Sequence, residues 1–147
     1  MISPNYVISG DPIPQPRARI LRNGFAYDPR AKDKQKIKSQ LLTQRNEHNQ
    51  HMLTCPVFLD ITFFMPIPTS LSKKKKTLLI GQPCTKRNGD LDNLVKTYLD
   101  CCKNIILLDD SQVFGLYCCK IYAPKESVRT EFFFSYGESE NEKEVNT

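Results

Sequence analysis

Residues 57–65 restrict the fold more than any other stretch, because apolar side chains occupy every second position. Such alternation is typical of a β-strand with one face buried and the other open. Residues 128–136 repeat the pattern, with Arg129 and Glu131 on the polar side. Two strands of this kind require a sheet whose apolar side is covered by other elements. The apolar positions of the first strand are Val57, Leu59, Ile61, Phe63 and Met65.

Helices that can cover this sheet are predicted in three places. The clearest spans residues 90–103, where apolar side chains recur at helical spacing. A longer helix begins near Pro29 and ends at about Gln50, and a short one lies in residues 72–80 with an N-cap at Thr69-Ser70. The apolar stripe of the clearest helix consists of Leu91, Leu94, Val95, Tyr98, Leu99 and Cys102.

The remaining strands decide the fold class. Residues 6–9 form a short strand, and Asn23-Gly24 is the turn of a hairpin. Residues 113–122 are apolar on both faces, which fits a central strand or one covered by a partner. We therefore predict an α+β fold over residues 1–136, a single domain with a mixed β-sheet and hairpins covered by helices. Residues 137–147 are predicted to be an acidic tail without fixed structure.

Length and composition exclude several classes of protein. The 147 residues suit one domain, and no apolar run approaches the ~20 residues of a membrane-spanning helix. The first ten residues lack a basic segment followed by an apolar core, so no secretory signal is expected. The six cysteines include two adjacent pairs and no CxxC, a pattern ill suited to disulfides or zinc. We expect reduced thiols and a cytoplasmic protein that does not bind membranes.

Charge is distributed unevenly along the chain. Residues 1–89 contain fifteen Lys and Arg against five Asp and Glu, whereas residues 90–136 contain five against seven. A basic surface indicates a polyanionic partner, most simply nucleic acid. Five of those seven acidic residues fall between Asp90 and Asp110, and such a cluster inside a basic protein needs its own explanation.

The first part of the cluster allows two interpretations. In the structural one, Asp90 caps the helix and Asp92 pairs with Lys96 four residues later, which stabilises the helix by ~1–2 kcal/mol in all. The functional interpretation depends on a second acidic pair, Asp109-Asp110, beyond the helix. If the chain reverses after the helix, this pair returns to the side of Asp90 and Asp92.

Several carboxylates in one partly desolvated cleft repel one another, and a bound divalent cation usually neutralises their charge. A site of carboxylate oxygens selects Mg²⁺ or Mn²⁺ over zinc. In a basic protein that attracts phosphodiesters, the economical reaction is metal-assisted hydrolysis of a nucleic-acid backbone. Lys96 could then neutralise charge that builds up on the phosphoryl oxygens.

A resemblance to a known family is carried by two strings, GDLDNLVKTYLD (residues 89–100) and LLDDSQVFGLYCCKIY (residues 107–122). They resemble the RusA family of Holliday junction resolvases, small endonucleases common in prophages, whose pattern is Asp-x-Asp-Asn-x-x-Lys followed by Asp-Asp-x-Gln-Val. The N-terminal GDPIPQPRAR, with Tyr-Asp-Pro and a basic helix after it, is also similar. The resemblance implies a RusA-like fold and a homodimer that binds four-way DNA junctions and makes paired cuts with Mg²⁺, in recombination and repair.

The resemblance also assigns roles by position. It implies that Asp90, Asp92 and Asp110 are the essential metal-binding acids, with Asp109 the lesser neighbour and Lys96 the motif lysine. Asn93 and Gln112 match positions that we interpret as supporting ones. Gly89 stands where many relatives have Pro, and the preceding residues lack the His found there. The basic residues expected to contact DNA are Arg17, Arg19, Lys73, Lys74, Lys75, Lys76, Lys86 and Arg87.

Two alternatives stay open at this point. The same site could act on flaps, nicks or other branched nucleic acids. The chain could also be a non-catalytic nucleic-acid-binding protein whose acidic residues only cap a helix or hold a structural ion.

Overall fold

A four-stranded mixed sheet forms the centre of the fold in a computed structural model that describes residues 1–16, 19–85 and 89–137. The strand order in the sheet is β1-β6-β4-β5, and β2 and β3 form a separate hairpin around Asn23-Gly24, as predicted. The strands are β1 (Tyr6–Ser9), β2 (Arg19–Ile20), β3 (Ala26–Tyr27), β4 (Val57–Pro66), β5 (Val113–Ala123) and β6 (Arg129–Tyr136). The helices are α1 (Ala31–Glu47), α2 (Lys73–Leu79) and α3 (Leu91–Cys102).

The alternation predicted for β4 is confirmed, since its apolar face is buried along the whole strand. β4 pairs antiparallel with β6 and parallel with β5, so the sheet is mixed. Helices α3 and α1 supply buried side chains to the same core, among them Leu94, Tyr98, Ile37 and Leu41. The predicted α+β class with a mixed sheet covered by helices is therefore confirmed.

Strand β5 lies at the edge of the sheet, so the first of its two predicted positions, a central strand, is wrong, and coverage by a partner stays a prediction. Its far end is covered, because the segment 81–84 forms backbone hydrogen bonds with Lys120 and Tyr122. From Val113 to Cys119, β4 is its only strand partner among the residues that the structure describes. Phe114 is 72% exposed and Tyr117 57% exposed, which leaves this edge apolar and open.

Two local predictions need correction or comment. Helix α2 is capped by Ser72, whose hydroxyl accepts from the Lys75 N–H, and not by Thr69-Ser70. All six cysteines are free thiols, as expected. Within the described residues, no helix is both long enough and apolar enough to span a bilayer.

Candidate metal centre and nucleic-acid surface

The start of α3 presents two carboxylates that the helix itself does not use. Asp90 occupies the N-cap position, but its side chain caps no backbone N–H. Asp92 lies in the first turn, and among the described residues no ion pair joins it to Lys96. All three side chains are exposed. The structural interpretation required a carboxylate cap and an i,i+4 ion pair, and neither forms, so both carboxylates are available to a ligand.

The turn before α3 depends on a glycine. Gly89 has φ of +102°, which an L side chain rarely adopts and which the fixed φ of proline excludes. A Cβ at this position would lie 3.0 Å from the Pro14 Cβ and 3.3 Å from the Leu94 side chain. The chain therefore enters α3 through a backbone conformation that proline could not adopt at this position.

The proline-rich segment contains no helix between residues 11 and 16, as predicted, and it lies along α3. The Ile13 N–H donates to the Tyr98 hydroxyl at 3.2 Å, and the Gln15 N–H donates to the Asn93 carbonyl at 3.0 Å. These bonds hold the segment against the helix end that carries Asp90 and Asp92. Arg17 and the side chain of Arg19 lie outside the described residues.

The second acidic pair lies in a 3₁₀ turn, Asp110–Gln112, which leads into β5. The Asp109 carboxylate accepts from the Ser111 N–H at 3.2 Å and pairs with the Lys103 ammonium at 3.2 Å. Hydrogen bonds from Ser111, with a contribution from Lys103, lower the pKa of the Asp109 carboxyl to about 2. Asp110 is exposed, and its carboxylate has no hydrogen bond or ion pair within the described part of the chain. Asp109 is thus occupied by its neighbours, whereas Asp110 can accept a ligand.

Gln112 fixes this turn to the rest of the fold. Its side-chain oxygen accepts from the N–H groups of Leu108 and Asp109 at 2.8 and 3.0 Å. Its side-chain nitrogen donates to the carbonyls of Leu53 and Cys55, both at 2.9 Å. A supporting role for Gln112 is consistent with these four bonds, because they position the neighbouring carboxylates against the segment that precedes β4.

Within one chain, the prediction that the two acidic groups meet is wrong. Helix α3 has 12 residues and is therefore about 18 Å long. Asp109 lies at its C-terminal end, where Lys103 binds it, while Asp90 and Asp92 lie at its N-terminal end. Accordingly, no group of three or more His, Cys, Asp or Glu side chains in the described residues could hold a metal ion.

The physical reason is the position of the acidic pair within the chain reversal. The chain does reverse after α3, but it does so in a tight turn, in which the Asn104 N–H donates to the Leu107 carbonyl and the Leu107 N–H to the Cys102 carbonyl. Asp109 and Asp110 follow this turn directly, at the start of the 3₁₀ turn. What returns to the start of α3 is the far end of β5, where the Lys120 ammonium donates to the Gly89 carbonyl at 3.1 Å.

Sequence reasoning did not select Lys120, although a signal for it exists. It is the one charged residue of β5, a strand that is otherwise apolar or weakly polar. The strand register places it opposite Phe63, on the side of the sheet that the helices cover. A lysine on a largely buried face must extend its ammonium to a polar partner, and the side chain of this one reaches the turn before α3.

The predicted basic residues are described only in part. Lys73 to Lys76 lie on α2, where the first three are exposed. The segment 81–84 after α2 binds Lys120 and Tyr122, so α2 and the start of α3 lie at the same end of the sheet. Lys86 and Arg87 lie outside the described residues.

Comparison with known proteins matches the chain to a family model and to a relative. The family model for RusA, described as endodeoxyribonuclease RusA, matches residues 9–131. The chain is also similar to the uncharacterized protein YqaN of Bacillus subtilis (strain 168), with 34% identity over 131 residues, which cover 84% of this chain and 90% of that protein. The matched region of the family model includes both acidic groups, the lysines of α2 and Lys120.

Proposed function

The chain belongs to the RusA family, and on that premise we propose that it is a Mg²⁺-dependent endodeoxyribonuclease that resolves four-way DNA junctions as a homodimer, in recombination and repair. The observation that carries this proposal is the pair of exposed, uncommitted carboxylates at the start of α3, at the same end of the sheet as the lysines of α2. Hard oxygen ligands beside a basic surface suit metal-assisted cleavage of a phosphodiester.

A single chain brings together only part of the proposed set of metal ligands. Asp90 and Asp92 offer the oxygen ligands that Mg²⁺ prefers, and Mn²⁺ can substitute because it accepts the same donors. Asp90 and Asp92 would hold a divalent ion, which would supply activation of water and stabilisation of the leaving 3′-oxygen. Asp110 is the third proposed ligand, with Asp109 as its lesser neighbour, but in one chain both lie at the other end of α3.

A two-fold dimer formed through β5 resolves this separation. If the open edge of β5 pairs with the same strand of a second copy, symmetry makes the two strands antiparallel. The beginning of each β5 then lies beside the end of the open stretch of the other, near Cys119. Asp110 precedes the beginning of β5, and Lys120 near its end holds the turn before Asp90. We therefore propose that Asp90 and Asp92 act together with Asp110 of the partner subunit.

The open edge itself favours this interface. Unpaired strand edges with exposed apolar side chains are sites at which another chain adds to the sheet. Leu116 and Tyr117 are exposed on β5, as is Phe114, whose ring makes an edge contact with Phe58. Two equivalent sites related by a two-fold axis also suit a substrate in which two symmetry-related strands are cut.

The basic residues contribute to the binding and the chemistry of the proposed substrate. Lys96, exposed one turn beyond Asp92, is proposed to neutralise negative charge on the phosphoryl oxygens. The remaining basic residues bind phosphates along the arms of the junction, where contacts fix position without reading sequence. They are Lys73, Lys74, Lys75, Lys76, Lys86, Arg87, Arg17 and Arg19.

The proposal is tested by incubating the protein with a synthetic four-way junction in Mg²⁺ and in EDTA, with duplex, nicked and flap DNA alongside. We expect paired cuts in the junction with Mg²⁺ or Mn²⁺ and none with EDTA. The separation of the acidic groups within one chain favours one alternative, a non-catalytic nucleic-acid-binding protein. That alternative predicts that the protein binds the junction but cleaves it with no metal tested. Faster cleavage of flap DNA than of the junction would instead identify flaps as the preferred substrate.

The lysines of α2 give a separate prediction about binding. Changing Lys73 and Lys74 to alanine together should lower junction affinity equally for all sequences, because phosphate contacts carry no sequence information. The slope of log affinity against log salt should become shallower by about 2, since each contact releases about one counterion. Electrophoretic mobility shifts over a salt series measure both quantities. The control is Lys32→Ala with Lys36→Ala, which removes the same charge from exposed positions of α1, and equal effects of the two double variants would contradict a specific role for α2.

A further inference from the structure

Lys120 joins the two ends of the segment that leads to the proposed metal ligands. Its backbone carbonyl accepts from the Cys84 N–H at 3.0 Å, and its ammonium donates to the Gly89 carbonyl at 3.1 Å. One residue of β5 therefore holds the chain both where it leaves the edge of the sheet and where it enters α3. Gly89 immediately precedes Asp90, so Lys120 binds the residue next to the first proposed metal ligand.

The surroundings make the contact specific in geometry. Lys120 is half-buried, and its stem lies on the helix-covered side of the sheet, opposite Phe63. A Cβ added at Gly89 would lie 3.0 Å from the Pro14 Cβ and 3.3 Å from the Leu94 side chain, so little space is left beside its Cα. Gly89 is thus closely packed at its Cα, and the ammonium of Lys120 connects its carbonyl to β5.

We propose that Lys120 is a positioning residue for the cleavage reaction, an inference that rests on the proposed function. Strand β5 has the turn of Asp110 at one end and Lys120 at the other. In a dimer paired through β5, the distance between Asp90 of one subunit and Asp110 of the partner subunit depends on how rigidly α3 is attached to β5. The bond from Lys120 to Gly89 provides that attachment.

The test compares Lys120→Met, which keeps the length of the stem without a donor, with Lys120→Arg, which keeps a charged donor. The control is Lys125→Met, because Lys125 is exposed just beyond the end of β5. Hydrogen–deuterium exchange at the Leu94 amide, which donates to the Asp90 carbonyl at 3.0 Å, reports the start of α3 independently of activity. Single-turnover cleavage and junction binding are measured on the same preparations.

We expect the Leu94 amide of Lys120→Met to exchange faster, with junction affinity unchanged. Cleavage should be about 10- to 100-fold slower, which is the usual loss when a residue that supports metal ligands is replaced. Lys120→Arg should recover part of both losses, and Lys125→Met should match the wild type. Unchanged exchange and cleavage in Lys120→Met would overturn the inference. If Lys120→Met fails to fold, Lys120→Gln replaces it, because its amide keeps a hydrogen-bond donor without the charge. Full cleavage and unchanged Leu94 exchange in Lys120→Gln would show that a donor at this position is sufficient, which supports the positioning role. Loss of junction binding in Lys120→Arg would overturn that role.

The two proposals fail in distinguishable ways. If the wild-type protein cuts no junction, the proposed function fails, while Leu94 exchange still reports whether Lys120 holds the start of α3. If the wild type cuts and Lys120→Met cuts equally fast, the function stands and the role of Lys120 is overturned.

Discussion

Replacing Asp92 with asparagine is expected to abolish cleavage of a four-way junction and to leave its binding as tight as in the wild type or tighter. The amide keeps the shape of the side chain but removes a charged ligand, and less negative charge then faces the DNA. A bound metal contributes several kcal/mol of transition-state stabilisation, so the single-turnover rate should fall by about a thousandfold or more. Cleavage is measured with labelled junction, and binding by mobility shift in Ca²⁺ or EDTA.

The matched control for this variant is Asp100→Asn, on the same helix. Asp100 lies near the other end of α3, where its carboxylate is 4.0 Å from the Lys34 ammonium, away from Asp90 and Asp92. Asp100→Asn also removes one negative charge from the protein, so a general electrostatic effect would change the cleavage rate of both variants alike. Unimpaired cutting by Asp92→Asn would remove Asp92 from the metal site, and equal losses in both variants would attribute the effect to the helix.

The elements with a strong local period were predictable from the sequence. In β4 and β6, apolar residues at every second position have only one arrangement that buries them all, and the structure buries them so. The stripe of α3 is equally restrictive, and Leu94, Val95 and Tyr98 are buried as expected. The period identifies the face of each element but not its neighbours, which is why β5, apolar on both faces, could be assigned to the centre of the sheet when it lies at the edge.

The geometry of the acidic groups was not predictable in the same way. The sequence indicates that the chain reverses after α3, but the result depends on where in the reversal Asp109 and Asp110 fall. Hydrogen bonds of the turn with Cys102, together with the Lys103–Asp109 ion pair, keep them at the C-terminal end of the helix. The distance from Asp109 and Asp110 to Asp90 therefore depends on which residues form the turn, and no local sequence pattern predicts that choice.

A mixed dimer tests whether the proposed site is shared between subunits. We expect the Asp92→Asn and Asp110→Asn homodimers each to be inactive, while a heterodimer of the two cuts one strand of the junction. In a shared arrangement, one site of the heterodimer receives both substitutions, and the other receives Asp90 and Asp92 from one subunit and Asp110 from the other, all unchanged. The heterodimer is purified through two different affinity tags, and its products are resolved as single and paired cuts.

The competing arrangement gives the opposite result, because a site made within one chain would have one defect in each subunit and the heterodimer would stay inactive. A heterodimer of Asp90→Asn and Asp92→Asn is the matched control. Both substitutions then affect the same end of α3, so each site has a defect whether or not the sites are shared. Activity in the first heterodimer and none in the second would place Asp110 across the interface from Asp92. Full activity of the Asp110→Asn homodimer would exclude Asp110 as a ligand, and the start of α3 would then have to bind the metal with other partners.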